Sequence, residues 1–306
     1  FIGQSKETEA LRKRLAGLKT EKTPVLIEGE TGTGKDVVAR ILNQQEGLRP
    51  FVTINCAAIN QTLFESEFFG HVKGAFTGAD TNKVGLAEAA HGGDLFLDEI
   101  EALPLSQQAK LLRFLESGEI RKVGSKEATK VQTRIIAASN QPLTQLISDK
   151  KFREDLYFRL SSQKIDISPL RDRRDDIPAL AKYFIDLEKP RRNKEFEPDA
   201  LKVLQSYSWP GNVRELKRVC EQLVLTSPLP FIRRKDVEHF LFNSDSATGE
   251  FINMDIALED YVRDQEKKWI EYVLANTTDL NEALDKLKVS KSTLYKKIKD
   301  HGIIYE

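Results

Sequence analysis

The chain has little cysteine, no net charge and no long apolar run. Its 306 residues include only Cys56 and Cys220, far apart and in apolar surroundings, which excludes a disulfide framework and a cysteine-rich zinc site. Such thiols suit a reducing cytoplasm. Lys and Arg total 47, as do Asp and Glu, so any affinity for nucleic acid must come from a local basic patch. No apolar stretch reaches the length of a membrane span, and no membrane partner is expected. The start, Phe1-Ile2-Gly3, lacks the charged and apolar segments of an export signal and reads as the edge of an excised portion. Internal repeats and low-complexity tracts are also missing. What remains is 40% hydrophobic and 31% charged, an ordinary folded composition long enough for two or three domains.

The first half alternates short apolar runs with amphipathic stretches, as βαβ units do. Val25–Ile27, Phe51–Ile54, Leu95–Leu97 and Arg134–Ala138 read as buried strands, with helical spacing over Lys35–Asn43 and Ser106–Ser117. The spacing predicts an α/β domain over 1–170, a parallel sheet flanked by helices. Strand signals fade from about Ser168, and helical patterns over Asp175–Leu187, Pro198–Tyr207 and Val213–Leu225 predict an all-helical lid over 171–242. A polar Ser/Thr/Gly-containing linker follows over 243–256, then a helical unit over 257–306.

Gly29-Glu30-Thr31-Gly32-Thr33-Gly34-Lys35-Asp36 follows a strand and opens a helix, the context of a phosphate-binding loop. Glycines let backbone N–H groups converge on phosphate oxygens, and Lys35 brings a positive charge to the outer phosphates of a nucleotide such as ATP. A solvated glycine-rich turn is the alternative. Asp36 stands where a hydroxyl usually follows the lysine, so Mg²⁺ must lean on water or on a second acidic site. Leu95-Phe96-Leu97-Asp98-Glu99 supplies one: Asp98 would hold Mg²⁺ and Glu99 would polarise the attacking water, unless the pair is an acidic turn.

Between these motifs lies Gly74-Ala75-Phe76-Thr77-Gly78-Ala79, one aromatic and one hydroxyl among residues too small to shield them. It reads either as a contact tip or as a turn with Phe76 folded inward. With the preceding Glu65-Ser66-Glu67-Phe68-Phe69-Gly70-His71-Val72-Lys73, it resembles the loop by which bacterial enhancer-binding proteins touch the sigma-54 form of RNA polymerase. That resemblance covers nearly the whole chain from Phe1-Ile2-Gly3-Gln4-Ser5 onward, and implies an AAA+ ATPase that remodels the closed promoter complex.

The resemblance assigns further roles. It places Ile2, Gly3 and the loop Gly29–Asp36 at the nucleotide, and matches Asn55 to the switch asparagine that restrains the catalytic glutamate. Asn55 is equally a strand-end cap. Asn140 matches sensor I, or is a turn asparagine. Arg153 and Arg159, in Phe152-Arg153-Glu154-Asp155-Leu156-Tyr157-Phe158-Arg159-Leu160, match arginine fingers offered to a neighbour's ATP, or form surface salt bridges with Glu154 or Asp155. Arg214, after Trp209-Pro210-Gly211-Asn212-Val213, matches sensor II, or is a partner of Glu215. An arginine finger in trans implies a homo-oligomeric ring, commonly hexameric in the family. In Gly92-Gly93-Asp94, Asp94 replaces a family threonine.

From Lys286 to Lys299 every charged residue is lysine. A short turn at Lys288-Val289, with Ser290 as N-cap, gives helix-turn-helix spacing and resembles the Fis-like module of these activators. Ser290, Lys291, Ser292, Thr293, Tyr295, Lys296 and Lys297 are the expected contacts to upstream enhancer DNA. A solvated basic helix is the alternative. Lys288 replaces a family turn glycine. The stretch Asp264–Asn276, with Trp269, Ile270 and Val273, is expected to supply a dimer contact or intramolecular core. Two rival functions stand beside the activator: another AAA+ machine whose Gly74 loop lines a pore, and a regulator that binds nucleotide without hydrolysing it.

Overall fold

Apolar residues two apart along each strand point to the same side of a sheet, and here they feed two separate cores. The computed structural model describes residues 1–43, 49–60, 63–189, 193–242, 266–267, 270, 273–274 and 280–301. Its described strands are β1 (Val25–Glu28), β2 (Phe51–Asn55), β3 (Gly70–His71), β4 (Lys83–Val84), β5 (Asp94–Asp98), β6 (Glu119–Arg121), β7 (Ala128–Lys130), β8 (Arg134–Ser139), β9 (Gln163–Asp166), β10 (Glu195–Phe196) and β11 (Phe231–Ile232), the last two forming a short parallel pair within 171–242, where the sequence predicts helices alone. Five of them form one parallel sheet in the order β2-β5-β8-β1-β9. Leu26, Leu95, Leu97, Ile135 and Ala137 enter one core, covered by helices Leu105–Ser117 and Glu154–Leu160. Their neighbours Val25, Ile27, Phe96, Ile136 and Ala138 enter the other, under helices Lys6–Leu18 and Lys35–Asn43. Each fully buried Leu or Ile contributes about 1.5–3 kcal/mol. A one-residue slip of any central strand would exchange the two sets, so register is strongly specified.

Within the first 242 residues, the strands and helices expected from the sequence are present within one or two residues of their predicted ends. The fifth sheet strand was not expected. Gln163-Lys164-Ile165-Asp166 carries one apolar residue, and only its place at the sheet edge beside β1 makes it a strand.

Asp94, the unusual first residue of β5, anchors the sheet at the edge opposite the strand ends that carry the acidic pair. It is fully buried, and its carboxylate accepts from Arg134 Nε and Nη2, both at 2.8 Å, and from Asn43 Nδ2 at 2.8 Å. The other Arg134 donors reach the carbonyls of Leu18, Glu21 and Leu42, at the ends of two flanking helices. A buried ion pair is tolerated when its remaining hydrogen bonds are made, as they are here.

The helices Ile177–Glu188, Pro198–Ser206 and Asn212–Thr226 follow the sheet, and Ile177–Glu188 packs on both of the others. Chain contacts divide the molecule into two units, Phe1–Phe240 and Leu241–Glu306. In the second, helices Leu280–Leu287 and Lys291–His301 are joined through Lys288, whose φ of 53° is left-handed. Ser290 Oγ accepts the Thr293 N–H at 3.2 Å, the predicted cap. Ile270, Val273, Ala283 and Leu294 are buried. The linker 243–256, Trp269 and most of the predicted 264–276 helix lie outside the described residues. Among the described residues no helix is long and apolar enough to cross a membrane.

Candidate functional site

Parallel strands bring their carboxyl ends to one edge, and there the chain opens a cleft of about 540 Å³. Thr31, Gly32, Gly34, Lys35, Asp36, Asp98, Glu99, Asn140 and Arg214 line it, so the structure brings these predicted site residues together. Val37, Tyr183, Phe184, Leu187 and Val213 supply an apolar wall, which the sequence reading did not assign.

The loop after β1 is held in shape from inside. Thr33 Oγ1 donates to the Glu30 carbonyl at 2.8 Å, so this hydroxyl braces the loop. Gly32, at φ 80°, approaches the lid so closely that a Cβ there would meet the Gly211 carbonyl at 2.5 Å. Lys35 Nζ spends its three donors on the carbonyls of Gly29 (2.7 Å) and Glu30 (3.1 Å) and on Asn140 Oδ1 (2.6 Å). Burial holds the Lys35 ammonium below its usual pKa, opposed by the charges of Asp98, Glu101 and Glu99. Burial likewise pushes Asp98 above the usual carboxylate range, opposed by the Glu99 N–H and by Lys35. Glu99 sits at φ 54°, ψ 48°, a left-handed conformation that costs a non-glycine residue on the order of 1 kcal/mol. The strain turns the chain sharply at the end of β5.

Glu30 does not line the cleft. Arg171 forks onto its carboxylate at 2.8 and 2.5 Å and Asn212 Nδ2 adds a bond at 3.1 Å, which together pull its pKa down to about 2. Asn212 is fully buried at φ 52° and also bonds the Thr31 carbonyl, so it joins loop to lid. Ile2 and Gly3 are likewise outside the cleft lining. Their segment is held by Asp176, whose carboxylate accepts from the Gln4 and Ser5 N–H groups at 2.7 Å each and from Thr8 Oγ1. Arg171, Asn212, Asp176 and Glu101 escaped the sequence reading, because each acts through a partner distant in the chain.

Three predicted residues have partners away from the cleft. Asn55 Oδ1 accepts from the Ala57 and Ala58 N–H groups at 2.9 and 3.0 Å, the strand-cap arrangement, while its register partner is Asp98. Arg153 forks onto Asp155 at 3.0 and 2.6 Å, the salt bridge named as the alternative. Arg159 reaches the Leu115 carbonyl at 3.3 and 3.1 Å.

Among the described residues no group of three or more His, Cys, Asp or Glu forms a metal cage. Asp98 and Asp36 do face one cleft, and one or two carboxylates beside phosphate oxygens is the donor set Mg²⁺ takes. The residues therefore fit an ion carried in with a nucleotide.

The Gly74–Ala79 loop is a tip. Gly74 and Gly78 have φ of 82° and 96° with open space around them, and Phe76 is 40% exposed, its ring edge-on to His71 at 5.1 Å. Thr77 is exposed. The base is fastened by the β3–β4 pairing and by Val72 N–H to the Val123 carbonyl at 3.1 Å. In the second unit Lys291, Ser292, Tyr295 and Lys296 are exposed, whereas Lys297 pairs with Glu266, which also bonds His301 at 3.0 Å.

Residues 1–166 match the family model described as the Sigma-54 interaction domain, and 171–251 match the AAA+ ATPase lid domain. The chain belongs to the sigma-54-dependent transcriptional regulators. It is 39% identical to UacR of Escherichia coli K12, a sigma-54-dependent regulator by its name, over 99% of this chain and 54% of that protein. To ZraR of Klebsiella oxytoca it is 39% identical over 97% of this chain and 68% of the relative. It thus spans about half to two thirds of these curated relatives. NtrX from Brucella abortus, solved in complex with ADP, superposes with a TM-score of 0.76 at 30% identity, over 99% of this chain and 69% of that one. The AAA+ fold of this regulator, parallel sheet plus helical lid, matches the family expectation. Neither family match extends past residue 251 into the terminal helices.

Proposed function

We propose that this regulator is an ATP-hydrolysing activator of the sigma-54 RNA polymerase holoenzyme. Residues 1–170 and 171–242 are its ATPase core and lid, and 243–256 link them to a DNA-binding module over 257–306. The reading rests on one observation above all: Lys35, Asp98, Glu99, Asn140 and Arg214 converge on a single cleft. A volume of about 540 Å³ suits a nucleotide, and the apolar wall suits its base. NtrX, whose solved structures hold ADP and ATP, supports the same ligand here.

In this reading Lys35 turns its donors from Gly29, Glu30 and Asn140 to the outer phosphates, and Asp98 and Asp36 hold Mg²⁺. The ion, when bound, supplies charge neutralisation on the phosphates. Glu99 polarises the attacking water, Asn140 orients it, and Arg214 reaches the phosphates from the lid. Arg153 and Arg159 lie outside the cleft of their own chain, as residues offered to a neighbour's site in a hexameric ring would. Asn55, beside Asp98 in register, exchanges its cap for Glu99 and passes the hydrolysis state to the Gly74–Ala79 tip, which meets the polymerase. Upstream enhancer DNA is gripped by dimers of the terminal module through Ser290, Lys291, Ser292, Thr293, Tyr295 and Lys296, with a smaller share for Lys297.

Glu99→Gln tests the assignment. Turnover is expected to fall at least a hundredfold while ATP binding, followed by a fluorescent analogue, persists. Undiminished hydrolysis would overturn the reading.

A further inference from the structure

Glu101 stands in the short helical turn Ile100–Ala102 that follows the left-handed Glu99. That turn sends its side chain across the strand ends to the residue that follows the neighbouring strand β8. There Glu101 Oε1 accepts the Asn140 N–H at 3.0 Å, and Asn140 Oδ1 accepts Lys35 Nζ at 2.6 Å. One bond therefore fixes the backbone of Asn140, and the next carries that placement to the phosphate-loop lysine. The other carboxylate oxygen, Oε2, is buried and has no hydrogen-bond partner among the described residues. Only the Oε1 bond anchors the group, so its reach decides whether the chain from Glu101 to Lys35 holds.

We propose that Glu101 is a positioning residue for hydrolysis, aiming the Asn140 amide at the position Lys35 and the outer phosphate share. The inference rests on the ATPase reading above. Glu101 does not line the cleft; its hydrogen bond goes to the Asn140 N–H, and its charge also bears on Lys35, a contribution that Glu101→Gln removes while keeping the contact. An ordinary loop staple would affect stability without selectively slowing turnover. A positioning contact acts on kcat, because displacing a catalytic amide by about 1 Å costs up to a hundredfold in rate.

Three substitutions separate reach from charge. Glu101→Gln keeps an acceptor at the same reach without the charge, Glu101→Asp keeps the charge one methylene short, and Glu101→Ala removes both. Single-turnover ATP hydrolysis and analogue binding would be measured for each, with thermal melts confirming folding. The expected result is a kcat at least tenfold lower for Ala and Asp, less than threefold lower for Gln, and ATP affinity within about threefold throughout. In an Asn140→Ala background, Glu101→Ala should have almost no further effect, since the side-chain amide that Glu101 positions through the backbone is already gone. Wild-type kcat in Glu101→Ala, equal losses in Gln and Ala, or multiplicative losses in the double variant would overturn the proposal. If the wild type turns over and Glu99→Gln does not, such outcomes sink the role of Glu101 and leave the ATPase reading standing. No turnover in the wild type overturns both.

Discussion

Asn212 Nδ2 lies 3.1 Å from Glu30 Oε2, joining the first turn of a lid helix to the phosphate loop. Arg171 grips the same carboxylate, so the loop's conformation and the lid's position are one arrangement. The shape of the loop and the seating of the lid helix are therefore coupled through Glu30.

That coupling has a pH signature. Glu30 has a folded pKa of about 2 against an ordinary value of 4.5, so its stabilising contribution is complete above about pH 4.5 and is lost as pH falls toward 2. Arg171→Met is expected to lower the melting temperature by about 2 °C at pH 7, a small effect because the pair is half exposed. The gap between variant and wild type should close on acidification through this window. A gap that stays constant from pH 6 to pH 3 would remove the Glu30 pairing from the account.

Asp94 makes a larger demand. In Asp94→Ala the Arg134 guanidinium stays buried without its counter-charge, a loss of about 3–5 kcal/mol. Differential scanning calorimetry should show the melting temperature falling by on the order of 10 °C. A drop under about 3 °C would mean that Arg134 finds other cover.

The terminal lysines differ in availability. Lys291 and Lys296 are exposed, while Lys297 is engaged by Glu266. Replacing Lys291 and Lys296 by Ala should each reduce the slope of log affinity for DNA against log salt by about 0.9, and Lys297→Ala by less. Equal effects from all three, or none from the first two, would relocate the phosphate contacts.

Much of this was legible in the sequence because it is local. Glycines and Lys35 at fixed spacing after an apolar strand define a loop braced in part by its own carbonyls, and Asp98-Glu99 follows from the strand it ends. Lys288 also reads correctly as a turn residue, since its left-handed φ is the conformation for which the family places glycine there. Strand β9 was hidden because an edge strand needs little apolar pattern, only a neighbour to bond. Asp94 with Arg134, Glu30 with Arg171 and Asn212, and Glu101 with Asn140 were hidden for another reason. Each pair is 39 to 182 residues apart in sequence, and only the fold brings its members together. Asn55 carried two readings from the start, and the cap bonds to Ala57 and Ala58 are the ones made here.

In the proposed function, ATP hydrolysis in the Lys35 cleft drives the Phe76-Thr77 tip against sigma-54 polymerase. Open-complex formation on supercoiled template, with purified holoenzyme and ATP, tests it most directly when wild type and Thr77→Ala are compared beside their ATPase rates. The wild type is expected to open the promoter in an ATP-dependent manner, and Thr77→Ala to lose at least tenfold in opening with hydrolysis within about twofold. Opening by Thr77→Ala at the wild-type rate, or opening by the wild type without hydrolysable nucleotide, would contradict this reading.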